Sequence, residues 1–212
     1  MRKGKEMRFH YRAAVILINL LAKVLRGIEK KGNEHIPEKG GVLIASNHID
    51  IYDPFLIGGA SPRELYYMAK MELFENPLFA WLLRKYNAFP ISRGSFDRKG
   101  LEKALEILKE GKALLIFPEG TRSEDGSLRE LKLGVAKLAL EAGVPIVPAY
   151  LEYSRNWLKA FFQRKKIKIK FGSPIKSDLI SQISKDKQGY LMITQEIIQR
   201  IKDLKEDGKV TA

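Results

Sequence analysis

Cysteine is absent from the 212-residue chain. That excludes disulfides, thiolate metal sites and a cysteine nucleophile, so group transfer has to be direct or use another side chain. Histidine is nearly as scarce, with three residues at positions 10, 35 and 48, and their spacing suggests no zinc set. Acidic residues are in deficit: 25 Asp and Glu stand against 38 Lys and Arg, for a net charge of +13 and a pI near 9.8. Such a balance favours an anionic partner, whether phosphate groups, lipid headgroups, an acidic carrier or nucleic acid. A membrane-spanning run is missing too. No charge falls between Arg12 and Lys23, and residues 13–22 are almost wholly apolar, but as a helix they cover about 15 Å, half of a hydrocarbon core. No small-residue cleavage site follows, so the segment is expected to be retained. Two readings of it stand: an ordinary buried helix, or a basic amphipathic helix lying in one leaflet.

What is present reads as an α/β domain, a central mostly parallel or mixed sheet flanked by helices. The polar stretch KKGNEHIPEKGG at residues 30–41 marks the one boundary, setting an N-terminal helical, membrane-associated appendage (1–35) apart from the main domain (36–212). Beyond it, apolar runs at 42–45, 65–69, 89–91, 113–117 and 146–151 read as buried strands. Helical patterns alternate with them: Leu101, Ala104, Leu105 and Leu108 before Gly111, then Val135, Leu138 and Ala139 before Gly143. Residues 166–171 alternate Lys-Ile-Lys-Ile-Lys-Phe, a strand with one wet face, and Ile193, Ile197, Ile198, Ile201 and Leu204 mark a closing helix.

Two segments carry chemistry. In SNHIDIYDP, His48 and Asp53 stand five residues apart with Pro54 next. On one helix they would lie about 140° apart, and a residue before proline is biased away from helical angles. His48 is therefore placed in the loop after a strand, with Asp53 capping the helix that Pro54 opens. Across that turn the carboxylate can orient the imidazole as a general base; a helix cap beside an ordinary loop histidine is the plainer reading. In ALLIFPEGTRS, residues 113–123, a strand runs directly into Pro118, Glu119, Gly120, Thr121 and Arg122. Ligands bind at that end of an α/β sheet; Gly120 admits an anion close to backbone amides, and Arg122 supplies a fork for it.

Taken together, four blocks resemble the glycerolipid acyltransferase family, in particular the bacterial lysophosphatidic acid acyltransferases. NHIDIYD (47–53) is similar to the family's His-x4-Asp catalytic block and AFPISR (88–93) to its phosphate-binding arginine block; FPEGTRS (117–123) and VPIVPAY (144–150) match the third and fourth. Asp50 stands where serine is frequent, leaving open which carboxylate partners His48, although the resemblance favours Asp53. Ser92 replaces an often acidic or polar residue, and Leu131 a usual phenylalanine before Lys132 and Gly134.

The resemblance implies transfer of a fatty acyl group from an acyl thioester, acyl-CoA or acyl carrier protein, to the free hydroxyl of 1-acylglycerol-3-phosphate, giving phosphatidic acid. His48 and Asp53 are then catalytic, Arg93, Arg122 and Lys132 hold the acceptor phosphate, Glu119 positions the glycerol hydroxyl or the arginines, and Gly120 and Thr121 complete the binding segment. No metal or cofactor is expected. Expected partners are membrane lipids and the acyl donor, not nucleic acid, for which no motif is present, and the expected location is the cytoplasmic face of the membrane, peripheral or monotopic. Glycerol-3-phosphate or another lysophospholipid as acceptor, a thioesterase, and a non-catalytic basic lipid-binding module are the alternatives. Residues 155–166, where aromatic and basic residues mix, read either as a second membrane contact or as a surface helix that packs its aromatics inward.

Overall fold

In the computed structural model, residues 7–92, 97–123, 132–154, 156, 162–163 and 165–206 are described. Seven strands form one sheet: β1 (Ile28–Lys31), β2 (Val42–Ser46), β3 (Leu65–Lys70), β4 (Ala88–Ile91), β5 (Ala113–Ile116), β6 (Ile146–Glu152) and β7 (Ile167–Phe171), in the order β1-β7-β6-β2-β5-β3-β4. From β6 to β4 all neighbours are parallel, whereas β7 runs antiparallel to β6 and β1 parallel to β7. The expected mixed α/β sheet is thus present.

Central strands covered on both faces read as unbroken apolar runs, and β2 is buried at every residue. Its alternate side chains feed two cores. Leu43 and Ala45 join Leu114, Ile107, Leu138 and Ile197 beneath α4 (Arg98–Lys109), α5 (Gly134–Ala142) and the closing helix Lys187–Glu206. Val42 and Ile44 join Ile57, Leu115, Val147 and Ile169 beneath α1 (Phe9–Leu25) and α2 (Asp53–Ala60). Gly143, at φ 63°, ends α5 as a left-handed cap, as the sequence suggested.

Two expectations change. The segment grouped with the N-terminal appendage contains β1, which pairs with β7 across four residues of register, so the sheet reaches back before residue 35. The strand at 166–171 is also drier than its alternation implied. Lys170 is buried, and its ammonium donates to the Leu204 carbonyl at 2.6 Å; the end of the closing helix supplies unsatisfied carbonyls that attract a cation.

The first helix is no ordinary buried helix. Only Tyr11 and Ala22 are buried, while Phe9, Ile16, Leu17, Leu20, Leu21 and Val24 are exposed. Tyr11 shares a 2.7 Å hydrogen bond with Tyr67 of β3 and accepts from the Leu65 amide at 3.0 Å, and Asn19 donates to the Gly59 carbonyl of α2 at 2.8 Å. Two arginines near the ends of this helix have partners within the fold. Arg8 pairs with Glu64 at 3.0 Å, and Arg26, which caps α1, is buried and donates to the carbonyls of Ser154 (3.0 Å) and Lys165 (3.2 Å). Arg12 and Lys23 stay exposed. A second exposed apolar surface lies on α3 (Pro77–Lys85), with Leu78, Phe79, Trp81 and Leu82 facing outward and the Lys85 ammonium 4.7 Å above the Trp81 ring. Residues 155–166, the candidate second contact, lie mostly outside the described residues. No described helix is long and apolar enough to cross a membrane.

Candidate active site

Because β2, β5 and β6 are adjacent and parallel, their C-terminal ends deliver three loops to one edge of the sheet. His48 leaves the end of β2, Phe117 to Ser123 follow β5, and Tyr153 follows β6. His48 Nδ1 lies 2.7 Å from Asp53 Oδ2; the imidazole side chain is 9% exposed and that of Asp53 fully buried. An imidazole whose Nδ1–H is donated to a carboxylate has Nε2 left as the proton acceptor.

Asp53 does not cap its own helix. Residue 53 is already in the first turn of α2, and Oδ2 turns back to accept the amides of Ile49 (2.5 Å) and Asp50 (2.8 Å). Oδ1 accepts the Tyr153 hydroxyl at 2.6 Å. One carboxylate therefore folds the 48–53 turn and orients the ring. This answers the question about Asp50: its amide donates to Asp53, and its own Oδ1 accepts the Ile51 amide at 2.6 Å, so Asp53 partners His48.

The third block holds the histidine's main chain. Glu119, 4% exposed, accepts the His48 amide on Oε1 at 3.2 Å, and Ser123 donates its amide to the His48 carbonyl at 2.8 Å. Glu119 thus braces the histidine loop. Phe117 stacks on the imidazole with ring centroids 4.0 Å apart and planes 16° from parallel. Gly120 is at φ 71°, and a Cβ there would meet Lys132 Cε at 2.9 Å, so Lys132 lies across the glycine. Thr121, Arg122 and Lys132 are exposed beside this turn. Arg93 lies outside the described residues. On either side of it, the Ser92 amide donates to Asp97 Oδ2 at 2.6 Å; this bond and that from Gly100 hold the Asp97 carboxyl below its usual range.

An apolar cleft of about 340 Å³ opens between the sheet and α4 and α5, lined by Met68, Ile91, Leu101, Ile116 and Leu138 with Gly120 and Lys132 also on its wall. It reaches Phe117, so one aromatic ring separates it from His48. The other histidines serve elsewhere: His10 contacts the Lys85 carbonyl and His35 the Phe171 carbonyl.

Sequence reasoning did not find Asn47, Phe117 or Tyr153. Asn47 exchanges hydrogen bonds with the Leu151 main chain, Nδ2 to O at 2.9 Å and N to Oδ1 at 2.8 Å, locking the β2 end against β6. Its place beside His48 and that of Phe117 inside FPEGTRS were available signals. For Tyr153, 100 residues from Asp53, there was none.

The fold and sequence have relatives of known kind. The 1-acyl-sn-glycerophosphate (LPA) acyltransferase of Thermotoga maritima superposes with a TM-score of 0.68 over 96% of this chain and 86% of its own, at 24% identity, a likeness of fold. A 1-acyl-sn-glycerol-3-phosphate acyltransferase of Bacillus subtilis is 30% identical over 92% of this chain and 96% of its own length. A lyso-ornithine lipid O-acyltransferase of Pseudomonas aeruginosa is 38% identical over 54% of this chain and 44% of its own. The family model described as Acyltransferase matches residues 27–152, a span running from β1 to the end of β6 and including every residue of the His48 and Asp53 turn; the chain belongs to the acyltransferase family.

Proposed function

We propose that this acyltransferase esterifies the free hydroxyl of 1-acylglycerol-3-phosphate with a fatty acyl group from an acyl thioester, forming phosphatidic acid. The observation that carries the reading is the buried His48–Asp53 pair at 2.7 Å, one phenyl ring from an apolar cleft. His48 Nε2 takes the proton of the acceptor hydroxyl as its oxygen attacks the thioester carbonyl. Asp53 stabilises the imidazolium so formed. Collapse of the tetrahedral intermediate breaks the carbon–sulfur bond, and the imidazolium returns the proton to the leaving thiolate. The cleft suits an acyl chain, and the charges of Arg93, Arg122 and Lys132 suit the acceptor phosphate. The donor is acyl-CoA or acyl carrier protein; both are anionic and complement a chain of net charge +13.

Access to a lipid acceptor is proposed to come from seating on one leaflet through the exposed apolar faces of α1 and α3. These helices adjoin, since His10 of α1 packs edge-on to Tyr86, directly after α3.

The test is a donor-by-acceptor transfer assay in vesicles, crossing acyl-CoA and acyl carrier protein donors with lysophosphatidic acid, glycerol-3-phosphate, lyso-ornithine lipid and water. Preference for lysophosphatidic acid is expected. Preference for the lyso-ornithine acceptor, which the Pseudomonas relative's name motivates, would replace the phosphate assignment, and hydrolysis alone would make the chain a thioesterase.

A further inference from the structure

Tyr153 is a buried phenol with no part in the transfer as derived above, yet its hydroxyl donates to the catalytic carboxylate at 2.6 Å. Asp53 Oδ2 is occupied by His48 and two amides, and Tyr153 donates to the opposite oxygen, Oδ1. Behind the phenol stands a cation. The Arg26 guanidinium lies 5.8 Å from the Tyr153 ring centroid, and its donation to the Ser154 carbonyl fixes the main chain directly after the tyrosine.

We propose that Tyr153 is a positioning residue for acyl transfer, a member of a chain Arg26–Tyr153–Asp53–His48 that sets both the orientation and the basicity of the imidazole. This rests on His48 being the general base. Donation to Oδ1 fixes the carboxylate rotamer, so Oδ2 stays aimed at Nδ1. The same bond draws negative charge toward Oδ1 and weakens the hold of Asp53 on the imidazolium, keeping the histidine less basic than a lone carboxylate would make it. A cation over the ring makes the phenol a stronger donor. Among the described residues, Asp50 on the same loop, Glu119, which takes the His48 amide, and Arg122, directly before the Ser123 amide that meets the His48 carbonyl, are further charged groups at the turn. Arg26 is also the C-cap of α1, so the helix proposed to meet the membrane ends on the residue that braces this chain.

The experiment measures kcat and KM against pH for the full-length protein, using the donor and acceptor pair that the wild type turns over. It compares wild type, Tyr153→Phe, and protein carrying 3-fluorotyrosine at position 153 by site-specific incorporation. Tyr153→Phe removes only the hydroxyl: kcat is expected to fall about tenfold or more, the scale of a lost hydrogen bond to a charged group, with acceptor KM within about twofold of wild type. The acid limb of its kcat profile should move to higher pH, because the freed carboxylate binds the imidazolium more strongly. The fluorinated phenol is a stronger donor and should move the limb the other way. It keeps the hydroxyl and the fold, so it stands even if the phenylalanine variant unfolds. Opposite displacements support the positioning role. Unchanged profiles, or losses tracking melting temperature with no displaced limb, overturn it. His48→Ala keeps the two readings separable: residual wild-type rates in that control would remove the general base itself, whereas a dead His48→Ala beside an unmoved tyrosine profile removes only the role of Tyr153.

Discussion

The imidazole of His48 lies flat against the phenyl ring of Phe117, 4.0 Å between centroids, while its Nδ1 edge is held by Asp53. The two contacts divide the work: the carboxylate fixes which nitrogen carries the proton, and the ring restricts tilt. An aromatic pair contributes roughly 0.5–1.5 kcal/mol beyond its area. Phe117→Leu should therefore lower kcat about two- to tenfold with the fold retained; a rate equal to wild type in a steady-state assay would show that Asp53 alone suffices.

His48→Ala and Asp53→Ala are expected to separate in stability though not in activity. Loss of the general base costs at least about a hundredfold in rate. Asp53 is fully buried and accepts two amides and the Tyr153 hydroxyl besides the imidazole. Removing it orphans buried donors at about 1–3 kcal/mol each. Urea unfolding should thus show Asp53→Ala markedly destabilised and His48→Ala near wild type. Equal midpoints would mean that Asp53 does not hold the turn.

The limits of the sequence are visible in this carboxylate. Strands, helices and the edge where the ligand segment sits followed from apolar runs and local stops, because burial on both faces leaves a periodic record. The His48–Asp53 partnership was legible because both residues lie in one short turn. Which way Asp53 faces was not, since a residue before proline at a helix start equally suits a cap. Tyr153 and Arg26 reach the site through strand order, and β6 stands beside β2 by topology alone. β1 was hidden because three of the four residues in IEKK are charged and its pairing partner is about 140 residues away. Arg26, just past the apolar run, is buried by tertiary partners that its place in the sequence does not announce.

Neutralising the anion site should discriminate between acceptors. Arg122 and Lys132 are exposed beside the Gly120 turn, and each charge-assisted contact is worth roughly 1.5–3 kcal/mol. Arg122→Ala and Arg93→Ala should each lower kcat/KM for lysophosphatidic acid tenfold or more and spare an acceptor lacking phosphate. Arg122→Lys should recover only part, since a point charge lacks the fork. Equal losses toward both acceptors would make these arginines structural.

The Tyr11–Tyr67 hydrogen bond should give the fold an alkaline limit. Burial raises the Tyr11 phenol and pushes Tyr67 well above the ordinary value, aided by Tyr11 itself. A group whose folded pKa is raised contributes stability that is complete below its unfolded pKa and lost as pH climbs through the folded one. Stability should accordingly decline above about pH 10, where free phenols ionise. Tyr67→Phe should flatten that decline in urea titrations at successive pH values. Some slope should persist, because Tyr150 is pushed up to about 12 by burial and the nearby Glu152. A variant slope identical to wild type would exclude Tyr67 as its source.

Membrane seating can be tested without disturbing the domain. Deleting residues 1–30 would remove most of β1 and the Tyr11 and Asn19 contacts, so substitutions on the exposed faces are the cleaner probe. Leu17, Leu20, Leu21 and Val24 follow helical spacing on α1, and all face outward. Transfer of such a side chain from water contributes on the order of 1.5–3 kcal/mol when complete. Changing the four to serine should cut partitioning onto anionic vesicles roughly a hundredfold or more, with little change in the unfolding midpoint because each of the four is at least half exposed. Leu78→Ser with Trp81→Ser tests α3, where Leu78 is 75% exposed and the cationic Arg84 and Lys85 close the helix. A smaller drop is expected there. Raising salt should weaken binding through Arg12, Lys23, Arg84 and Lys85 yet leave an apolar remainder, which ions do not screen. Full co-sedimentation by the fourfold α1 variant, together with wild-type acylation of vesicle-embedded acceptor, would place the membrane contact elsewhere on the chain.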